Sequence, residues 1–372
     1  MKLHLLAAVA VVFAVGVAVE GQQPGSAAVR SPEVAADRRV TFRIAAPKAA
    51  EVRLTCECVD GAQVMNKDDK GVWSLTLGPF EPDIYEYEYT VDGVTMLDPR
   101  NEKVKYNGRP STISSLVEVP GSGPLFYDVK AVPHGTVDIR WYQSKAVNGV
   151  RRAYVYTPPN YERGTSRLPV LYLLHGADGD DSAWTAFGRA NHILDNLIAE
   201  KKMTPMVVVM PFGYAYPPAA GAAADRQRTD FEKDLLQDLI PFVQGNYRVF
   251  TDRSNRAIVG LSMGGGQALN IGLRHLDVFS RVASFSGAVP RGQAADSFND
   301  VLGDAKKLNT SLKLLWLGCG TEDGLFAPNK EFAERLKKAG VTHTFRETGG
   351  AHTWSVWRKY LLEVAPQLFP AT

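Results

Sequence analysis

Residues 258–267 read I-V-G-L-S-M-G-G-G-Q, so a single serine, Ser262, is held between glycines directly after an apolar run. Gly260-Leu261-Ser262-Met263-Gly264 fits G-x-S-x-G, and the pattern around it predicts a strand, a sharp turn and then a helix over 265–276. In that setting the serine sits on a strained turn with its hydroxyl lifted clear, and the flanking side chains must be tiny for strand and helix to pass so closely. A phosphate-cradling loop is disfavoured, because neither the G-K-[ST] ending nor the G-x-G-x-x-G spacing is present. The competing reading is a glycine-rich turn with an idle serine.

A serine hydroxyl is a weak nucleophile near neutral pH, so it needs an imidazole to take its proton and a carboxylate to hold that imidazole. On a strand-turn-helix elbow the partners follow in the order serine, acid, histidine. Of the seven histidines, only His343 and His352 lie far enough downstream of the helix after Ser262. His343 falls within the alternating stretch V-T-H-T-F-R-E and reads as a strand side chain, whereas His352 lies in the loop T-G-G-A-H-T-W, making it the candidate base. The strand L-K-L-L-W-L runs into G-C-G-T-E-D-G, which puts Glu322 and Asp323 at a strand end; Asp323 is the favoured acid and Glu322 stays open beside it. Acyl chemistry at Ser262 also requires two N–H donors for the developing oxyanion. The expected donors are the backbone amides of Met263, next to the nucleophile, and of Ala177, in the His175-Gly176-Ala177 turn after an earlier strand. His175 is expected to brace that turn.

The elements that must position these residues follow from periodicity. Continuous apolar runs predict strands over 152–157, 170–174, 206–210, 257–261, 282–285, 313–317 and 342–347, as in parallel strands covered on both faces. Helical spacing of Phe231, Leu235, Leu236, Leu239 and Val243, and of Phe332 and Leu336 before Gly340, supplies the intervening helices. The reading is an α/β sheet with helices on both sides, its ligands at the carboxyl ends of the strands. Ahead of it, residues 39–119 show short alternating runs such as Ile84-Tyr85-Glu86-Tyr87-Glu88-Tyr89, punctuated by Gly and Pro, which predict a small antiparallel sandwich. The expected division is a leader over 1–21, an all-β, immunoglobulin-like sandwich over 22–124 closed by P-G-S-G-P, and an α/β domain over 125–372 entered through a bridging segment with Pro133, His134 and Gly135.

The 372 residues are ample for two domains, and a net charge of +2 with 42 basic and 40 acidic residues argues against nucleic acid as a partner. Lys2 followed by an apolar run from Leu5 to Val19 and small residues near Gly21 predicts a cleaved secretory leader, hence export to the periplasm or beyond without stable membrane association. An uncleaved anchor is the alternative reading. Three cysteines are too few for a disulfide framework; Cys56 and Cys58, if on one strand, would share a face that bridges awkwardly, leaving buried thiols or an occasional bridge. No metal cluster is expected, and triad chemistry needs no cofactor.

Leu-Leu-His175-Gly176, the segment G-R-A-N-H-I-L-D-N-L-I-A-E-K-K-M-T-P-M-V-V-V-M-P-F-G, the stretch around Ser262, G-C-G-T-E-D and G-G-A-H-T-W-S-V-W-R together resemble the esterase-D-like family of α/β-hydrolases. Within it the chain is most similar to the feruloyl and acetyl-xylan esterases of carbohydrate esterase family one, over residues of about 130–365. The resemblance implies Ser262 as nucleophile, Asp323 as acid, His352 as base and the Ala177 and Met263 amides as oxyanion donors. V-T-F-R-I-A-A-P-K-A-A-E-V-R-L, Y-E-Y-E-Y-T-V-D-G and L-D-P-R-N resemble the glycogen-binding-type early-set sandwich, whose exposed tryptophans stack on sugars; here only Trp73 falls in that region, within an alternating strand that favours a core position. An aromatic acyl group would find Phe212, Tyr214 and Tyr216 in the loop F-G-Y-A-Y-P-P-A-A-G-A-A-A-D-R-Q, with Trp184 and Trp354 as further candidate contacts. The implied activity is hydrolysis of feruloyl or acetyl esters on plant cell-wall polysaccharide. A siderophore trilactone esterase and a catalytically silent carbohydrate-binding protein are the alternatives.

Overall fold

A computed structural model describes residues 29–105, 113–177, 179–216, 223–290 and 298–370. The expected leader over 1–21 lies outside the described residues, as does part of the loop after Phe212, residues 217–222.

The front region forms two antiparallel sheets. One orders Glu33–Val34, Val40–Ala45, Val72–Leu77 and Asn66–Lys67. The other runs from Gln63–Val64 through Val52–Cys56, Asp83–Val91 and Ser114–Val119 to Val104–Lys105, with Val94–Met96 paired to the long strand. The alternation in Asp83–Val91 turns Tyr87 and Tyr89 into a core with Phe42, Leu54 and Val117, while Glu86 points to the opposite face. Trp73 is in that core, 6% exposed, its indole N–H donating to the Ala46 carbonyl at 3.0 Å. Cys56 and Cys58 are joined by a disulfide, contrary to the awkward shared-face geometry expected of them. The strand ends at Cys56, so the turn beyond it frees Cys58 to fold back.

The larger sheet has eight strands: β1 (Thr136–Ser144), β2 (Gly149–Thr157), β3 (Val170–Leu174), β4 (Val207–Pro211), β5 (Arg256–Leu261), β6 (Arg281–Phe285), β7 (Leu314–Gly320) and β8 (Thr344–Thr348). They lie in the order β1-β2-β4-β3-β5-β6-β7-β8. The β1–β2 and β2–β4 pairs are antiparallel and the rest parallel. Seven strands coincide with the sequence expectation to within a few residues. β1 has no counterpart among the expected strands, because Ile139 and Trp141 stay 50% and 60% exposed on this edge strand and break the inside-outside pattern.

Helices cover both faces. Phe231, Leu235, Leu239 and Val243 pack on one side beside Ala268, Leu269, Phe332 and Leu336; helices Ala190–Ala199 and Trp354–Leu368 pack on the other. Ile84 and Tyr127 join this second core, so the front sandwich is seated on the helical layer rather than tethered at a distance. Asp83 pairs there with Arg358, which is 1% exposed and lies 4.8 Å over the Tyr127 ring. Removing one member of such a buried pair strands the other charge, at a cost of about 3–5 kcal/mol.

Candidate active site

β5 ends at Leu261 and the next helix begins at Met263, leaving Ser262 alone to turn the chain with φ 51° and ψ −117°. A positive φ strains a residue bearing a Cβ, and here the strain holds the side chain away from both elements. The crossing is tight: a Cβ on Gly260 would lie 2.3 Å from the Gly264 carbonyl, and one on Gly264 only 2.4 Å from the His175 oxygen. Ser262 is held by its amide, which donates to Phe285 O at 2.8 Å, and by its carbonyl, which accepts from Gly266 and Ala288.

The structure brings the three sequence candidates together. His352 Nε2 lies 2.9 Å from Ser262 Oγ, and His352 Nδ1 lies 2.8 Å from Asp323 Oδ2. The acid side chain is fully buried and the imidazole 37% exposed, as suits a base that must meet both its orienting partner and a substrate. Burial alone would raise the Asp323 carboxyl, but hydrogen bonds from His352, the Leu325 amide and Ser286 outweigh it and hold the group below its ordinary value. Glu322, the other candidate acid, faces elsewhere: it accepts from the Gly350 amide and so braces the turn that carries His352.

A supporting shell fixes the imidazole. Trp357 meets the His352 ring edge-on at 4.8 Å and donates its indole N–H to Ser286 Oγ at 3.1 Å. His175 is buried and accepts from the Gly213 amide through Nε2 at 2.8 Å, so its Nδ1–H donates to Gly176 O at 2.7 Å. Burial pushes its pKa down to about 4, keeping it neutral as a brace for the turn that carries Ala177. Ala177 lines the same cavity as Ser262, and Met263 opens a helix, where the first N–H groups lack intrahelical acceptors. No described carbonyl accepts either amide.

This cavity measures about 160 Å³, and its walls include Leu261, Ala183, Trp354 and Trp357. The substrate contacts expected from sequence separate here. Trp354 lines the cavity. Trp184 needs correcting: it is 1% exposed and donates to Leu174 O at 3.0 Å, so it supports Trp354 edge-on and cannot reach a ligand. Tyr214 donates to Ala177 O and packs beside His175, while Tyr216 lines a different cavity and donates to Asp230 at 2.8 Å.

Three lining residues had no signal in the sequence, because they come from the front sandwich: Glu57, Glu86 and Lys105. Lys105 pairs with Glu86, and the Glu86 amide donates to Glu57 Oε2 at 3.0 Å. The crowding of protein around Glu57, reinforced by the Glu86 charge, pushes its pKa up to about 7 although solvent still reaches the side chain. The sandwich therefore roofs the triad with titratable groups.

Outside the cavity, His134, His192 and Asp195 bring ligand-type atoms within 4.8 Å of one another. His134 is already hydrogen-bonded through both ring nitrogens, to Asp195 at 2.9 Å and Lys130 O at 3.1 Å, which ties the segment before β1 to helix Ala190–Ala199 away from the cavity. Among the described residues no helix is long and apolar enough to cross a membrane.

Residues 144–368 match the family model described as "Putative esterase". The chain is 32% identical over 355 residues to an endo-1,4-beta-xylanase/feruloyl esterase of Xylanibacter ruminicola, covering 93% of this chain and 46% of that protein. It spans about half the length of several curated relatives it matches, 46% to 60%. Among solved structures, a ferulic acid esterase superposes with a TM-score of 0.55 at 27% identity, covering 63% of this chain and 97% of that one. The enterobactin esterase of Shigella flexneri superposes with a TM-score of 0.68 over 89% of this chain and 92% of that one; at 20% identity that likeness is one of fold. With the eight-stranded sheet, the elbow at its centre and a family match over more than half of its residues, the chain belongs to the esterase family of α/β-hydrolases.

Proposed function

We propose that the chain is an exported serine carboxylic-ester hydrolase that removes feruloyl groups, and secondarily acetyl groups, from plant cell-wall polysaccharide. The observation that carries the reading is the continuous line from Asp323 through His352 to Ser262, with contacts of 2.8 and 2.9 Å, in a cavity walled by two indoles. His352 takes the Ser262 proton as Oγ attacks the ester carbonyl, and Asp323 stabilises the imidazolium. The Ala177 and Met263 amides receive the oxyanion. Collapse expels the alcohol, protonated by His352, and leaves an acyl-serine that water, activated by the same imidazole, hydrolyses. The apolar run near the N-terminus supports export, and the feruloyl esterase relatives support the acyl group.

A trilactone esterase reading has one observation in its favour, the enterobactin esterase likeness that extends over the front sandwich. Charge weighs against it. A catecholate siderophore carrying iron is polyanionic, and among the described lining residues the roof sets Glu57 and Glu86 against Lys105. Initial rates on methyl ferulate, acetylated xylan, short aryl esters and enterobactin test the proposal. Preference for methyl ferulate supports it, preference for enterobactin replaces it with the second reading, and equal slow rates on all four reduce it to a generic esterase.

A further inference from the structure

A second cavity of about 570 Å³ opens at the same carboxyl edge of the sheet, between the β1–β2 hairpin and the loops after β3 and β4. Its lining includes Trp141, Val150, Arg152, Asp180 and Tyr216. The loop after β3 is common to both cavities: Gly176, Ala177 and Gly179 face the triad, and Asp180 and Asp181 face the second space. The two cavities therefore use successive residues of one loop as a wall.

Trp141 is the unusual residue. It is 60% exposed, and Ile139 and Val150 on the same face of the hairpin are 50% and 65% exposed. A tryptophan left in water on a rigid strand forgoes a large burial gain, which marks it as a contact surface. The groups beside it are preorganised and polar. Arg152 lies 5.7 Å over the indole, and Asp181, 1% exposed, fixes its guanidinium through Nε and Nη2 at 2.6 Å each. Arg152 Nη1 has no acceptor among the described residues. Asp180 is 8% exposed; its Oδ1 is taken by Ser182, while Oδ2 lies 3.8 Å from Arg152 Nη2. An apolar plate thus stands beside one fixed donor and one fixed acceptor; Arg152 is balanced by Asp181 with Asp180 beside it, and Arg151 by Asp234 at 3.1 Å, so the site carries no excess of positive charge.

We infer that this cavity is a carbohydrate subsite, in which Trp141 stacks on a neutral sugar ring of the polysaccharide main chain while Arg152 Nη1 and Asp180 Oδ2 take neighbouring hydroxyls. The C–H face of a sugar ring suits an indole, vicinal hydroxyls suit a donor beside an acceptor, and local charge balance favours a neutral ligand over an acidic one. The identity of the chain bound rests on the polysaccharide-esterase reading; the presence of a sugar site does not. The front sandwich buries Trp73, so the exposed stacking indole is placed by the catalytic sheet itself.

Affinity electrophoresis of the wild type, Trp141→Ala and Trp141→Phe in gels containing unesterified arabinoxylan, xylan or β-glucan tests the site without any ester chemistry. Retardation by at least one neutral polysaccharide, weakened about tenfold in Trp141→Ala and largely kept in Trp141→Phe, is expected for one aromatic stacking contact. In parallel, the ratio of KM on feruloylated arabinoxylan to KM on methyl ferulate should rise by a similar factor in Trp141→Ala. Equal retardation of wild type and Trp141→Ala, or none for the wild type, overturns the subsite. So does a Trp141→Ala protein that changes from dimer to monomer with unchanged polysaccharide retardation, which would make the face a self-association surface. Trp141-dependent retardation without hydrolysis of any feruloyl ester keeps the subsite and removes the polysaccharide-esterase reading.

Discussion

The elbow at Ser262 and the roof above it line one cavity, yet they are held by different physics. At the elbow, backbone geometry fixes everything: a positive φ at Ser262, a glycine carbonyl 2.3 Å from where a Cβ would stand, and a base and acid set on loops at neighbouring strand ends. The roof depends on docking. Glu57, Glu86 and Lys105 reach the cavity only because Ile84 and Tyr127 share a core with Trp357, and because Asp83 finds Arg358. On the proposed function, chemistry belongs to the rigid part and selection to the part that a substitution at the junction can loosen.

Breaking the elbow should have the largest effect. Ser262→Ala is expected to lower kcat by ~10⁴-fold or more with an unchanged melting temperature. Asp323→Asn should cost about 10⁴-fold, because it leaves the imidazole without the charge and tautomer control that the buried carboxylate provides. Both are read from single-substrate kinetics on an aryl ester.

Breaking the dock should act on stability first. Asp83→Ala leaves Arg358 buried with the Phe187 carbonyl at 2.9 Å as its remaining polar partner, and should cost about 3 kcal/mol in denaturant unfolding. If activity on a small aryl ester survives while discrimination between bulky esters collapses, the division between rigid chemistry and docked selection is sharpened. If both fall together, the division is wrong.

The smallest effect is a pH dependence. Glu57 has its pKa raised to about 7 in the folded chain, so folded protein binds more protons than unfolded protein between the ordinary carboxylate value and about 7. Stability associated with this group is therefore present at low pH and lost as pH rises through that window. Glu57→Gln should be more stable than wild type at pH 8, by up to ~1 kcal/mol given solvent access to the side chain, and should lose that advantage near pH 4. Thermal melts of both proteins across pH 4–8 check it, and a constant difference would assign the roof charges differently.

The contrast between elbow and roof also explains what could be read in advance. Ser262, Asp323 and His352 were legible because each sits at a recognisable transition, a strand giving way to a glycine-rich or acidic turn; chain order reduced the histidines to His343 and His352, and the alternating pattern around His343 separated the two. The parallel strands were legible because burial on both faces demands continuous apolar runs, as in Val170–Leu174. Edge strand β1 was not, because its exposed Ile139 and Trp141 serve something other than the core. Trp184 was misplaced as a ligand contact because sequence cannot tell an indole lining a cavity from one packed behind it. Glu57, Glu86 and Lys105 lie about 150 or more residues from Ser262 and meet it only through tertiary docking, which leaves no local pattern to find.

The central claim is that Ser262 is the nucleophile, activated by His352. Intact-mass and peptide analysis after brief exposure to a fluorophosphonate tests it most directly, using the wild type, Ser262→Ala and His352→Ala. One adduct per chain on the Ser262 peptide of the wild type, none in Ser262→Ala and strongly slowed labelling in His352→Ala is the predicted result. Absence of an adduct in a folded wild type, or full esterase activity in Ser262→Ala, would contradict it.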